Sequence, residues 1–285
     1  MKLIEMRTTA TETLAYFMET MPEVPFTEDD IVFSFVKSSE IVERTKELCE
    51  KYCPEKIITE SQYRHLSESI AANVLMGREK CVVIIRINTK LSKRDFRSMI
   101  IHELAHIFCL MSEIDGEHFI DIYGTGTMPD GDDKVYEGVM CAGYEVWSEF
   151  IAHYYSIKLN VENIEFAFSQ IVNSVFGSLD YVTTDNIVES KGEFAYLSAY
   201  WLSCTDAEKT IRDLFNPETP DFLIPNDVPF SAEVKQALYN CLIHLWKQVK
   251  CEKPWKISET FIYDVGSKFN FLRIRNSQFL GIVNM

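Results

Sequence analysis

"CVVIIRINTKLSKRDFRSMIIHELAHIFCLM", residues 81–111, places the most hydrophobic run of the chain directly ahead of a His-Glu-x-x-His. The run 81–88 is apolar and β-branched and reads as a strand. Ser92 followed three residues later by Asp95 reads as a helix start. The hydroxyl accepts from the first free amides, and the acid is favoured at the positive helix end. Residues 94–111 are therefore expected to form a helix with the motif at its middle.

On a helix of about 3.6 residues per turn, His102 and His106 lie one above the other on one face. Two imidazoles so placed can each offer a ring nitrogen to one divalent ion at roughly 2.0–2.1 Å. Glu103 is offset by about 100° and reaches the open side of the ion. There it can take a proton from a metal-activated water and deliver it to a leaving amine. From this chain's frequencies of His and Glu, a random sequence of equal length would carry the pattern on the order of 1% of the time. The competing reading is a buried helix whose histidines bond to backbone carbonyls. Burying His-Glu-His in so apolar a helix without a metal or partner is costly, because each unpaired polar group loses its water.

Upstream, "SIAANVLMG" (69–77) and the run 81–88 flank the short "GREK" and read as a β-hairpin. "IVFSFV" (31–36) reads as a short strand. The segment 38–53 reads as an amphipathic helix with Ile41, Val42, Thr45, Leu48, Cys49 and Tyr52 on one broad face, closed by Pro54. Downstream, 112–140 is polar and glycine-rich and reads as a surface loop; its G-x-G opens no apolar helix. A helical pattern resumes over 142–159. Further helices are expected at 161–176, 185–204 and 232–249, with Pro217, Pro220, Pro225 and Pro229 marking an irregular link. The ending from Phe261 has no assignment. The fold class expected is α+β, with a core over 1–160 and a helical region over 161–285.

The composition excludes several functions. The 28 Lys and Arg against 43 Asp and Glu give a net charge of −15, which repels phosphate backbones and anionic lipid heads. No long basic run occurs, so nucleic acid is not an expected partner. No stretch of about 18 apolar residues suggests a spanning helix, and the first residues do not pattern as a secretory signal. The eight cysteines form no C-x-x-C pair and read as reduced thiols in a cytoplasm. Cys49 and Cys53 share a metal-compatible spacing but have no second pair nearby.

A catalytic zinc site usually has three protein ligands and one open position. The third is sought in the helix 142–159. Glu145, Glu149, Ala152 and Ser156 form one stripe, with Val146, Trp147, Phe150, Ile151, Tyr154 and Tyr155 on the other sides. Small residues beside an acid let two helices approach closely, which favours Glu149 as the ligand, with Glu145 one turn earlier as runner-up. His153 is adjacent and reads as a supporting residue or ordinary packing. Tyr144, Tyr154, Tyr155 and His118 are candidates to hold a developing oxyanion, and Cys109 reads as core filler.

H-E-L-A-H on one helix and E-F-I-A-H-Y-Y-S on a second resemble the gluzincin metallopeptidases. The second segment is most similar to the ImmA/IrrE family in Glu149, Ala152, His153 and Tyr155. The resemblance implies a zincin-like core, a small sheet with the HExxH helix and a ligand-Glu helix, and a cytoplasmic Zn²⁺-dependent endopeptidase. Its implied substrate is an intracellular protein, of the repressor type in that family. The interval from His106 to Glu149 is longer than expected for the family, and His153 stands where asparagine is more usual. The alternative is a non-catalytic binding or regulatory protein on a zincin scaffold. The intact Glu103 argues for the enzyme, since a purely structural site has no use for it.

Overall fold

The computed structural model describes residues 1–54, 71–77, 80–88, 90–112, 134–160, 187–203 and 232–279. The chain forms two compact units, Met1–Ser112 with Lys158–Val161, and Glu113–Ile157 with Glu162–Met285. The architecture is mixed α+β, mostly helical, with one small sheet.

The first unit runs α1 (Leu3–Thr20), β1 (Ile31–Val36), α2 (Ile41–Tyr52), β2 (Ala72–Met76), β3 (Cys81–Arg86) and α3 (Lys93–Ser112). The sheet order is β1-β3-β2, with β3 parallel to β1 and antiparallel to β2. The expected hairpin is present, closed where the Gly77 amide donates to the Lys80 carbonyl at 3.2 Å. As the central strand, β3 is buried from Cys81 to Ile85, which is why it reads as a continuous apolar run rather than an alternation.

Side chains alternate across the sheet. Val82 and Ile84 pack with Val36, Leu75 and the α2 residues Ile41, Leu48 and Cys49 into one cluster. Val42 and Tyr52 close over it, so the expected apolar face of α2 is the buried one. Cys49 and Cys53 belong to this core, and the Cys53 thiol donates to the Met76 carbonyl at 3.2 Å. On the opposite face Val83 and Ile85 are fully buried, and α3 packs against β2 and against α1. Phe17 of α1 meets Phe108 of α3 edge-on, ring centroids 6.0 Å apart. Each such large apolar side chain contributes about 1.5–3 kcal/mol when fully buried.

The second unit contains α4 (Lys134–Leu159) as far as Ile157, α5 (Ile187–Leu202), α6 (Ala232–Val249) and α7 (Glu259–Phe279). Its core joins Trp147 and Phe150 of α4, Phe194 of α5, Leu242 and Leu245 of α6, and Ile262 and Phe269 of α7, all at most 1% exposed. The link between α6 and α7 is fastened by Gln248, whose side-chain amide donates to the carbonyls of Pro254 (2.8 Å) and Lys256 (3.0 Å). Ser258 caps α7, its hydroxyl accepting from the Phe261 amide at 3.2 Å.

The crossing of α4 and α7 is unusually close. A Cβ at Gly143 would stand 2.0 Å from the Ile262 carbonyl oxygen, and a Cβ at Gly266 would stand 2.0 Å from that of Val139. Only two glycines allow the backbones to meet this way. This contact also corrects the sequence reading of 134–140 as loop, because α4 begins at Lys134 and Val139 is part of the crossing. Helix α7 fills most of the stretch left unassigned. The helix expected at 161–176 and the proline-marked link lie outside the described residues. Among the described residues, no helix is long and apolar enough to cross a membrane.

Candidate metal centre

The start of α3 is built as the sequence suggests. The Ser92 hydroxyl oxygen accepts from the Asp95 amide at 3.1 Å, and the same hydroxyl donates to the Asp95 carboxylate at 2.7 Å. From there the helix is committed to the core. Phe96, Ile100, Ile101, Leu104, Ala105, Ile107 and Phe108 are all 0% exposed. Among its half-buried residues, Ser98, His102, His106 and Leu110 fall on one stripe, each four residues after the last. The two histidines are thus partly accessible, on a stripe flanked by buried apolar side chains.

Their geometry is specific. The Nε2 atoms of His102 and His106 are 3.1 Å apart, and the rings stand nearly perpendicular at 85°. At that separation two ring nitrogens share either a proton, one ring donating to the other, or a cation. Two nitrogens bound tetrahedrally to one zinc at roughly 2.0–2.1 Å would lie about 3.3 Å apart. The pair therefore fits a common ion with little adjustment. Glu103, one residue further round the helix, is only 8% exposed. It follows His102 directly in sequence and precedes His106 by three residues.

Glu149 and His153 lie together on α4, in the second unit. The His153 Nε2 is 3.8 Å from a Glu149 carboxylate oxygen, and both side chains are partly open, 26% for His153 and 39% for Glu149. The small residues expected after Glu149 are present, with Ala152 and Ser156 buried. Val146, Trp147, Phe150 and Ile151 form the core side of the helix. Tyr196 of α5 meets His153 edge-on at 4.9 Å.

Glu145, the runner-up ligand, has another assignment. Its carboxylate pairs directly with the ammonium of Lys191 on α5, and the lysine side chain is 10% exposed. A carboxylate neutralising a buried ammonium is a poor candidate to give up that partner for a metal. Nothing local in the sequence signals this pair, because the partners are on different helices. Of the tyrosines considered for an oxyanion, Tyr144 and Tyr154 are buried, and burial pushes the Tyr154 hydroxyl above its ordinary value. His118 lies outside the described residues. Cys109 is buried at the end of α3, as core filler should be. Comparison of the chain with protein-family models, curated proteins and solved structures finds no match.

Proposed function

We propose that this chain is a zinc-dependent endopeptidase of the cytoplasm, acting on peptide bonds of an intracellular protein. His102, His106 and Glu149 are the proposed ligands, and Glu103 is the proposed general base. The observation that carries the reading is the convergence of the Nε2 atoms of two half-buried histidines to 3.1 Å on one face of a helix, with a buried carboxylate at the intervening position 103. The pairing of Glu145 with Lys191 supports Glu149 over Glu145 as the third ligand.

When bound, zinc would supply a Lewis acid that acidifies water and polarises a carbonyl. The chain's own residues supply the rest. Glu103 receives the proton of the attacking water and returns it to the departing amine. His153 stands beside the Glu149 carboxylate, its Nε2 3.8 Å from the nearer oxygen, and is the proposed supporting residue. The zincin-like core and a repressor-type substrate, both implied by the resemblance of the two helices to ImmA/IrrE peptidases, belong to this same reading.

The test is elemental analysis of the purified protein beside His106→Ala and Glu149→Ala. About one zinc per chain, lost in both variants, is the expected result. Zinc lost only in His106→Ala would move the third ligand elsewhere. No metal in the wild type after zinc is supplied would overturn the proposal. Glu103→Gln should keep the zinc and lose hydrolysis.

A further inference from the structure

The outer edge of β1 carries a feature that the metal reading does not use. A pocket of about 480 Å³ is lined by Arg7 and Thr11 of α1, by Phe33, Ser34 and Phe35 of β1, and by Arg44 of α2. Three consecutive strand residues cannot line a pocket on one face of a sheet, because alternate side chains point to opposite sides. The pocket therefore straddles the edge of the strand.

The two arginines approach that edge from opposite faces. Arg44 comes from α2, on the side where Val32 and Val36 pack. Arg7 comes from α1, with its guanidinium over the Phe35 ring at 5.9 Å.

Among the described residues this edge has no strand partner. β1 pairs with β3 on one side along its whole length, and no described strand lies on the other. The Val36 carbonyl accepts from the Ile87 amide, just past β3, at 2.9 Å. By alternation, the N–H and C=O groups of Phe33 and Phe35 point outward, into the pocket. An open edge of this kind is a template for one more strand.

The charges say which strand. Arg44 is shared with Glu47 at 2.5 Å, while Arg7 makes no ion pair among the described residues. In a chain of net charge −15, the charged side chains that line this pocket are both arginines, Arg7 and the Glu47-paired Arg44. We propose that β1 docks an extended acidic peptide segment of a partner protein as an added strand. Successive residues of the docked strand face opposite sides, so two adjacent acidic residues would meet Arg7 on one face and Arg44 on the other. The site is separate from the proposed zinc ligands and does not depend on them.

The test uses a fluorescein-labelled peptide of alternating Thr and Val with two adjacent glutamates at its centre, titrated with the full-length protein. The expected result is saturable binding that weakens at least tenfold when the glutamates become glutamines. Arg7→Glu and Arg44→Glu should each weaken it similarly. Both residues are exposed, so the variants should keep the wild-type circular dichroism. Amide hydrogen exchange should slow at Phe33 and Phe35 when the peptide is bound. A peptide whose glutamates are two apart presents both to one face and should bind more weakly. Equal binding of the glutamate and glutamine peptides, no binding of either, or no protection at Phe33 and Phe35 would overturn the proposal. So would binding of inorganic phosphate, lost in both variants, without binding of the peptide, which would mark a small-anion site.

Discussion

Gly266→Ala should loosen the second unit although it adds only one methyl group. The new Cβ would stand 2.0 Å from the Val139 carbonyl oxygen and 2.9 Å from the Gly143 amide nitrogen, and real Cβ atoms essentially never come closer than 3.0 Å. Both obstacles are backbone, so no rotamer change relieves them, and α4 and α7 must part by roughly an ångström. That movement would also strain the edge-on contact of Trp147 with Phe261, at 4.9 Å. Overpacking costs up to about 3 kcal/mol, and alanine returns about 1 kcal/mol of helix propensity. The net expectation is a loss of about 2 kcal/mol. All four tryptophans (Trp147, Trp201, Trp246 and Trp255) fall in the second unit, so their fluorescence reports its unfolding in urea. With a slope of about 1–3 kcal/mol per molar, the midpoint should fall by roughly 1 M. Gly192→Ala is the internal control. It lies on α5 with nothing within 4 Å of the new Cβ, and should stabilise by about 0.5–1 kcal/mol. A midpoint for Gly266→Ala equal to or above wild type would refute the close crossing. Gly143→Ala should act alike, and the double variant should cost less than the two combined, because one separation serves both.

Glu145→Gln removes the carboxylate from a nearly buried ammonium and should cost about 2 kcal/mol, whereas Lys191→Met leaves a partly hydrated acid and should cost well under half of that; the same urea titration compares them. Burial, reinforced by Lys268, holds His244 below its ordinary value of 6.5, so the fold favours the neutral ring. Its contribution to stability is therefore complete above about pH 6.5 and is lost as the pH falls. The midpoint should drop between pH 7.5 and 5.5, and His244→Gln should flatten that drop. Burial pushes the thiols of Cys81 and Cys241 up to about 11 and about 12, while Cys251 is exposed. Cys251→Ser should lower the number of thiols reacting rapidly with an aromatic disulfide by one, and Cys81→Ser and Cys241→Ser should leave it unchanged.

The elements most legible in the sequence are those whose side chains announce their own surroundings. β1, the β2–β3 hairpin, the buried face of α2 and the serine start of α3 follow from local pattern alone. α1 is harder to read because its core stripe contains Thr9 and Thr13. Thr13 satisfies its hydroxyl internally, donating to the Thr9 carbonyl at 2.6 Å, so a polar residue can face the core. The early turns of α4 are hidden by the polar, glycine-rich character of 112–140, and the pairing of Gly143 with Gly266 across α4 and α7 joins residues more than a hundred apart, which no local pattern displays. The histidine pair and Glu103 are legible because their spacing within one helix is their geometry. The assignment of Glu145 to Lys191 is not, since it joins residues on separate helices.

The pairing of Ile31 with Cys81 bears on the order in which the first unit is assembled. β2 and β3 are joined by a short turn and can close within microseconds of being available. Among the described strands, β1 gains its neighbour when the chain has reached β3, some fifty residues later, and its parallel register then has to be found across that span. During synthesis β1 would wait with both of its edges open, and the segment Lys158–Val161 completes the unit later still. Asn160 then seals the start of α3, its side-chain amide donating to the Arg94 carbonyl at 3.4 Å. The strand made first is thus among the last to be secured, which makes the newborn chain most exposed to mispairing at "IVFSFV".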